Sequence, residues 1–313
     1  MPIYASEITI NLIRGFISVD EKLLNILVLN KTQQIDGVLV TAIDANHCPG
    51  AIMILFQLPC GKRILHTGDF RWSPKMEIDL SHQTQKIELV YLDTTHISDK
   101  HIIGSQEECI TKAIHCIREL KKCNKNKKIL FVVCTDLIGK ENFWWSIAQA
   151  FDLKVWSDGK RKKAMSIIGN KEILKKIVSN ANEADLHVLS HAVAGYKQLD
   201  EYFRKFSDTF DMVLSIKPKG SESLNPEFGH EVNSISVRYS EHSTHKELRR
   251  FLGFLLPTRV ISTVPLGTNI FRCPKIPVSW HTKELYVPYK KQASLLNYVR
   301  IKERPRLRNT FRV

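Results

Sequence analysis

The sequence predicts an α/β fold in which short strands alternate with helices. Two observations carry this prediction. Helical stripes of apolar residues separate short β-rich apolar runs, and several of those runs end directly on a polar side chain. Because functional side chains gather at strand ends in layered α/β folds, the same pattern indicates where a site lies. The length of 313 residues suits two domains at about 150 residues each.

Four strands are predicted in the first third of the chain, and three of them lead into chemistry-bearing residues. The first runs into a turn cluster at 44–50, the third ends on Gly68-Asp69, and the fourth ends on Asp93. The predicted strands are 37–43, 51–57, 64–67 and 89–92.

A helix follows, because Ser105 and Glu108 form a capping box in front of a helical apolar stripe. The alternation then continues to residue 264, and the stretch 218–229, with two prolines and two glycines, is the best loop or domain-edge candidate. Further strands are predicted at 129–134, 186–190, 212–217, 235–239 and 259–264, and further helices at 141–151, 195–206 and 245–255.

Composition places the chain among globular proteins, with 43% hydrophobic and 25% charged residues, and so excludes disorder. Apolar stretches such as 51–56 are far shorter than the about 18 residues that cross a bilayer, and no signal-peptide pattern opens the chain. We therefore expect no membrane association. The seven cysteines form no Cys-x-x-Cys pair, which predicts reduced thiols in a nuclear or cytosolic protein.

The charge is strongly positive. Forty-six Lys and Arg against 32 Asp and Glu give a net charge of +14 and a pI near 9.4. Such a balance favours a polyanionic partner, either nucleic acid or an anionic membrane. The basic residues concentrate at 283–313 and in two internal runs, 121–128 and 160–163. The alternative for these runs is a solvated helix end and a loose tail.

Two histidines and two aspartates at strand ends are the residue types that a zinc hydrolase uses. His47 stands before Cys-Pro-Gly in a rigid turn, and His242 lies at a strand-to-helix junction. Taken singly, a histidine in the position of His47 more often bonds the backbone of its own turn than a metal. Aspartates placed as Asp69 and Asp93 are more often turn residues than ligands.

The loop from Thr135 to Lys140 leads from a strand into a helix and carries Gly139 at the helix start. A helix N-terminus with a glycine and a lysine suits phosphate, although the glycine spacing is not that of a P-loop. The alternative is an ordinary connecting loop.

Several motifs, in this order, resemble one known family. They are 40–51 (VTAIDANHCPGA), 64–71 (ILHTGDFR), 91–95 (YLDTT), 138–141 (IGKE) and 239–243 (YSEHS), after the opening 2–9 (PIYASEIT). They are similar to the DNA cross-link repair nucleases of the metallo-β-lactamase/β-CASP class, and within it to the 1A branch. The resemblance covers roughly residues 2–270.

The resemblance implies a metallo-β-lactamase αββα sandwich, here without its first strands, and an inserted β-CASP α/β domain. The implied division is 1–94 for the first part of the metallo-β-lactamase domain, 95–241 for the β-CASP domain and 242–313 for the return and the basic tail. In the family the motif His-x-His-x-Asp-His precedes the Pro-Ile-Tyr segment, and no His-x-His occurs in the 313 residues. The expectation is therefore an N-terminally truncated chain or a degenerate copy.

The resemblance also implies roles. His47, Asp69 and His242 match zinc ligands, with Asp69, Asp93 and His242 as the catalytic group and Asp93 in support. Thr135, Lys140 and, more weakly, His187 match substrate contacts, the first two in a pocket for a 5′-phosphate. The loop reads Thr135-Asp136-Leu137 where relatives usually show an extra glycine and a Tyr-Ser pair. Asp136 would repel a phosphate if it pointed inward.

The implied protein is a nuclear, zinc-dependent 5′-to-3′ DNA exonuclease of interstrand cross-link repair. Its partners would be single-stranded or 5′-phosphorylated DNA, and repair proteins. Two alternatives remain open. One is a relative that binds DNA or repair proteins without cleaving, and the other is an RNA-processing β-CASP enzyme.

Overall fold

The computed structural model describes residues 1–80, 86–97, 104–219, 227–228, 231–265, 274–277 and Trp280. It confirms the predicted α/β class. The basic segment 283–313 and most of the loop predicted at 218–229 lie outside the described residues. No helix in the described ranges is both long and apolar enough to span a bilayer.

The elements of the first half are β1 (Ile3–Ala5), α1 (Glu7–Phe16), β2 (Leu24–Ile26), β3 (Thr32–Ile35), β4 (Val38–Asp44), β5 (Ile52–Gln57), β6 (Arg63–His66), α2 (Met76–Leu80), β7 (Leu89–Leu92), α3 (Gln106–Cys123), β8 (Ile129–Cys134) and α4 (Glu141–Ala150). Those of the second half are β9 (Val155–Ser157), α5 (Gly159–Ile168), α6 (Lys171–Lys176), β10 (Leu186–Leu189), α7 (Tyr196–Phe203), β11 (Met212–Lys219), β12 (Glu227–Phe228), β13 (Val232–Arg238), α8 (His245–Leu255) and β14 (Arg259–Ser262).

The first sheet has the order β14-β7-β6-β5-β4-β3. Strands β3 to β6 pair antiparallel, whereas β6, β7 and β14 pair parallel. Strand β14, the last strand in the described part of the chain, thus returns to a sheet that the first third of the chain builds. Helix α8 covers this sheet through Leu248, Phe251 and Leu252, which pack with Phe70 and Trp72 in one buried cluster. Each fully buried apolar side chain of this size stabilises the fold by about 1.5–3 kcal/mol.

The second sheet has the order β12-β13-β11-β8-β10-β9 and is parallel except for β12. Every residue of its central strand β8 is buried, because helices cover both faces of the sheet. Such a strand reads as one continuous apolar run in the sequence. Helices α3 to α6 pack on one face and α7 on the other. The capping box of Ser105 and Glu108 opens α3, as predicted.

Three elements near the N-terminus lie outside the predicted set. Strands β1 and β2 form a separate parallel pair, and α1 packs against α5. The basic run 160–163 also differs from a purely solvated face, because Arg161 on α5 is buried. The domain boundaries at 94/95 and 241/242 stay predictions.

Candidate metal centre

His47, Asp69 and His242 come together at the ends of three strands. His47 lies in the turn after β4, Asp69 follows β6, and His242 follows β13. One ligand atom of each lies within 4.8 Å of those of the other two. His47 Nε2 is 3.9 Å from Asp69 Oδ2, and the two imidazole rings lie 4.7 Å apart between centroids. The three residues that the motifs predict as zinc ligands therefore face one point.

The turn that carries His47 is held by the N-terminal helix. The carbonyl oxygen of Gly50 accepts hydrogen bonds from Ser6 Oγ at 2.7 Å and Thr9 Oγ1 at 3.1 Å. Gly50 has φ +90°, and a Cβ there would lie 2.8 Å from Thr9 Oγ1. Only glycine fits this close approach without strain, so the glycine of the His-Cys-Pro-Gly motif fixes the imidazole in space.

One ring nitrogen of His47, Nδ1, is engaged in a hydrogen bond with the protein backbone. Nδ1 lies 2.9 Å from the backbone carbonyl oxygen of Glu241, which can only accept, so Nδ1 carries the proton and donates. In the neutral imidazole this makes Nε2 the free acceptor nitrogen, and Nε2 lies on the side of the ligand cluster. The acceptor, Glu241, lies in the strand-end segment that also carries His242. His47 therefore does not bond its own turn, which was the alternative for a single histidine.

Asp93 orients His242 in the same way. Its Oδ2 accepts from His242 Nδ1 at 2.7 Å, and the carboxylate is 1% exposed. It also accepts from the backbone N–H of Phe70 at 3.3 Å and from the hydroxyl of Thr95 at 2.6 Å. Asp93 is therefore not placed as a ligand; it stands behind His242 as a fixed, buried acceptor.

The pairing of Asp93 with His242 shifts the pKa of both side chains. Burial by itself lowers the pKa of His242, but the hydrogen bond and charge of Asp93, helped by Asp69 and Glu241, raise that pKa above its ordinary value. Burial raises the pKa of Asp93, yet the hydrogen bonds from His242 and Thr95 outweigh it, so this pKa lies below its usual range. A proton on His242 must therefore leave when a metal binds.

This donor set fits zinc. Two imidazole nitrogens and one carboxylate make three protein ligands, the usual number in a catalytic zinc site. Each histidine donates its other N–H to a fixed acceptor, the arrangement that sets tautomer and ring orientation in zinc proteins. The side chain of Asp69 is 64% exposed, which leaves a carboxylate oxygen accessible to a second ion.

A cavity of about 640 Å³ opens beside the centre. Three titratable side chains to which the motifs gave no role also line it: His96, His191 and Glu241. Both histidines lie shortly after a strand, β7 and β10, so the strand-end rule could have found them. The remaining lining residues are His47, Cys48, Thr95, Asp136, Ile138, Lys140, Pro218, Tyr239, Ser240 and His242.

Cys48 faces this cavity without being poised to ligate. Burial, followed by the negative charges of Glu241, Glu141 and Asp69, raises the pKa of its thiol to about 11. A thiol must lose its proton to bind a metal, so the surroundings of Cys48 oppose that role.

The loop predicted to hold a phosphate starts α4, and Lys140 lines the cavity. Its backbone donors, however, are occupied. The N–H of Gly139 donates to Glu141 Oε1 at 2.7 Å, and the N–H of Lys140 donates to Glu241 Oε1 at 2.5 Å. The helix N-terminus is thus satisfied by carboxylates of the chain itself, and its capacity for an anion rests on the Lys140 side chain.

Thr135 lies beneath this loop and is fully buried. Its hydroxyl donates to the Asp136 carbonyl oxygen at 3.0 Å, and it is not among the cavity-lining residues. The guanidinium of Arg161, 2% exposed, donates to four backbone carbonyls in this region: Thr135, Asp136, Leu137 and Leu189. Arg161 therefore holds the loop in shape, a role that its place in a lysine-rich run did not indicate.

His187 is not brought to the centre. It is fully buried, and both ring nitrogens are engaged, Nδ1 with Tyr202 Oη at 2.8 Å and Nε2 with the Ala181 carbonyl oxygen at 2.9 Å. Burial lowers the pKa of His187 to about 4. With no nitrogen left for a ligand, its position is that of a neutral packing histidine and gives no support to the predicted substrate contact.

Comparison with known proteins agrees with the motifs. A family model described as DNA repair metallo-beta-lactamase matches residues 171–268. The chain is 36% identical over 275 residues to the DNA cross-link repair 1A protein of Gallus gallus, covering 85% of this chain and 28% of that protein. It is 33% identical over 276 residues to the DNA cross-link repair protein SNM1 of Arabidopsis thaliana, with 85% and 57% covered.

A third relative is the 5′ exonuclease Apollo of Rattus norvegicus, 27% identical over 273 residues, with 84% of this chain and 47% of that protein covered. A crystal structure of a protein of unknown function from Enterococcus faecalis V583 shares the fold, with a TM-score of 0.57 at 14% identity over 84% of this chain and 69% of the other. This chain thus spans between 28% and 57% of the length of these curated relatives.

The motif residues converge at the ends of their strands, and the repair proteins match over most of the chain. Over most of its length the chain is therefore similar to the DNA cross-link repair proteins, and its residues 171–268 match the family described as DNA repair metallo-beta-lactamase.

Proposed function

We propose that this chain forms part of a metal-dependent DNA repair nuclease that digests DNA from the 5′ end in interstrand cross-link repair. The observation that carries the proposal is the convergence of His47, Asp69 and His242 within 4.8 Å beside a cavity lined by Lys140 and His191. In phosphodiester hydrolysis a metal ion activates water and stabilises charge on the phosphoryl oxygens, and the Lys140 ammonium beside it can stabilise the same charge.

The chain's own residues would orient the two imidazoles toward the metal and bind the DNA strand. The Glu241 carbonyl and the Asp93 carboxylate hold the two imidazoles with their Nε2 atoms directed inward. Lys140 offers a positive charge to the backbone of the strand, and the basic surface adds sequence-independent affinity that falls with salt. When bound, zinc supplies Lewis acidity toward a phosphodiester oxygen and toward the attacking water.

The proposed substrate is DNA, single-stranded or with a 5′-phosphorylated end, and repair proteins are proposed as further partners. The nucleus is the proposed location, because cross-link repair acts on chromosomal DNA. The net charge of +14 is in keeping with a polyanionic substrate.

One alternative is a family member that binds DNA or repair partners without cutting. The 313 residues contain no His-x-His pair, and the described cluster supplies three ligands. This alternative predicts salt-dependent DNA binding that a chelator leaves unchanged.

The test uses the purified chain with zinc and a single-stranded oligonucleotide labelled at either end. We expect labelled mononucleotide to be released first from the 5′ end, and we expect EDTA and Asp69→Asn to abolish release. His115→Ala is the matched control, because His115 is an exposed histidine on α3 and should leave cleavage unchanged.

DNA binding measured by fluorescence anisotropy separates the outcomes. Binding that weakens with salt but persists in EDTA, without cleavage, supports the non-cleaving alternative. Release from the 3′ end contradicts the proposed polarity, and absence of binding at low salt rejects a DNA substrate altogether.

A further inference from the structure

Arg71 is a buried cation at the end of the motif 64–71, and the resemblance gave it no role. It is 2% exposed. Its Nε and Nη2 donate to the two carboxylate oxygens of Glu247, at 2.8 and 3.0 Å. Nη1 donates to the Ser240 carbonyl oxygen at 2.9 Å, and Nη2 also reaches the Gly104 carbonyl oxygen at 3.2 Å. Because every nitrogen has a partner, the plane and the position of the guanidinium are fixed.

Two of these partners, Ser240 and Glu247, lie on either side of His242 in the chain. Ser240 follows β13, and Glu247 lies in the first turn of α8. Glu247 also closes the capping box of α8, where it accepts the N–H of Thr244 at 2.8 Å. The guanidinium therefore holds both the strand end before His242 and the helix start after it.

The backbone of Arg71 holds the turn that carries His47. Its N–H donates to the Ala45 carbonyl oxygen at 3.0 Å, and its carbonyl oxygen accepts from the Asn46 side chain at 2.8 Å. Ala45 and Asn46 are the two residues before His47, and Asp69 precedes Arg71 by two residues. One residue thus links the three segments that supply the predicted ligands.

We propose that Arg71 is a positioning residue of the metal centre, which sets the distance of His242 from His47 and Asp69 without binding the metal itself. The contacts of its backbone survive a substitution of the side chain, whereas those to the segment that carries His242 do not. Loss of the guanidinium therefore lets one imidazole shift while all three ligands stay present. This inference rests on the proposed metal-dependent function, because it concerns the same centre.

Arg71→Lys is the variant that tests the proposal. Lysine keeps the positive charge, but its single nitrogen cannot occupy the three positions from which the guanidinium donates. Arg250→Lys is the matched control. Arg250 is a mostly buried arginine on α8 whose guanidinium also pairs with both oxygens of a carboxylate, that of Glu77, and it is not among the residues that line the cavity. Both variants should lose stability, but only Arg71→Lys should alter the metal centre.

The first measurement is zinc affinity by competition with a chromogenic chelator, at a temperature where thermal melts in EDTA show each variant to be folded. We expect Arg71→Lys to bind zinc about tenfold more weakly, the lower end of the effect of groups that orient metal ligands. Arg250→Lys should bind zinc as the unaltered chain does. The second measurement is the visible absorption spectrum of bound Co²⁺, which reports the coordination geometry. We expect a changed spectrum in Arg71→Lys and an unchanged one in Arg250→Lys.

Glu247→Gln provides the test if Arg71→Lys does not fold. Glutamine also suits the capping box of α8 and keeps one acceptor oxygen for the guanidinium, but the negative charge is lost. We expect a smaller loss of zinc affinity, in the same direction as for Arg71→Lys.

Equal zinc affinities and Co²⁺ spectra in the unaltered chain and in folded Arg71→Lys or Glu247→Gln would overturn the positioning role and leave the proposed nuclease function standing. Equal losses in Arg71→Lys and Arg250→Lys would also overturn it, because they would show an effect of stability alone. A loss of zinc affinity confined to Arg71→Lys and Glu247→Gln, with no cleavage of DNA by the zinc-loaded unaltered chain, would support the positioning role and reject the nuclease. An unaltered chain that binds neither metal would reject both.

Discussion

Replacing Asp93 with asparagine keeps the shape of the side chain but removes the negative charge behind His242. The bond it changes is 2.7 Å long, and its acceptor is 1% exposed, so water cannot substitute for it. A hydrogen bond to a charged group contributes about 1.5–3 kcal/mol, against about 0.5–1.5 kcal/mol for a neutral one. The difference, about 1–1.5 kcal/mol, corresponds to a roughly tenfold loss of zinc affinity.

Zinc affinity would be measured at neutral pH by competition with a chromogenic chelator. Asp208→Asn, an exposed carboxylate after α7, serves as control and should bind as the unaltered chain does. A thermal melt in EDTA checks that Asp93→Asn still folds. Unchanged zinc affinity in a folded Asp93→Asn protein would refute the orienting role, and an unaltered chain that binds no zinc would refute the site itself.

Three further predictions concern buried groups outside the metal centre. The pKa of His187 is lowered from 6.5 to about 4, so the unfolded chain binds a proton between these values and the folded chain does not; the free energy of unfolding should fall by about 3 kcal/mol as pH drops from 6.5 to 4. Denaturant titrations should show this loss missing in His187→Gln and present in His115→Gln. Arg161→Met should lower the free energy of unfolding by at least about 3 kcal/mol, because four carbonyls lose a donor; a loss below about 1 kcal/mol would contradict the bracing role. Glu77→Gln should lower the free energy of unfolding by about 1–1.5 kcal/mol, because the hydrogen bonds that residue 77 accepts from Arg250 lose the negative charge of the acceptor; a melting temperature equal to that of the unaltered chain would argue against it.

Much of the fold could be predicted locally. All six residues of strand β8 are apolar because both faces of the strand are covered, so a buried strand is predictable there. The start of α3 is predictable from its capping box. The pair β1 and β2 could not be predicted in this way. Three-residue strands have too few residues to show a period, and their pairing is fixed by contacts between separate parts of the chain.

The sequence by itself determined the types of residue at the site and their places at strand ends. His47, Asp69 and His242 were identifiable because a polar residue that follows a buried strand must lie at the edge of a sheet. The resemblance to family motifs then predicted their role as metal ligands. These predictions used no distance between atoms.

Only the tertiary structure decided which donors are free. It pairs the Nδ1 atoms of the two histidines predicted as ligands with Glu241 and Asp93, and it encloses His187 among its own partners. It also places the Asp136 carboxylate 3.6 Å from Lys140 Nζ and 3.7 Å from His191 Nε2. These outcomes depend on groups far apart in the chain that meet through the packing of two sheets. Hydrogen bonds and charge pairs act over a few ångströms of space, whereas a sequence pattern records only neighbours along the chain.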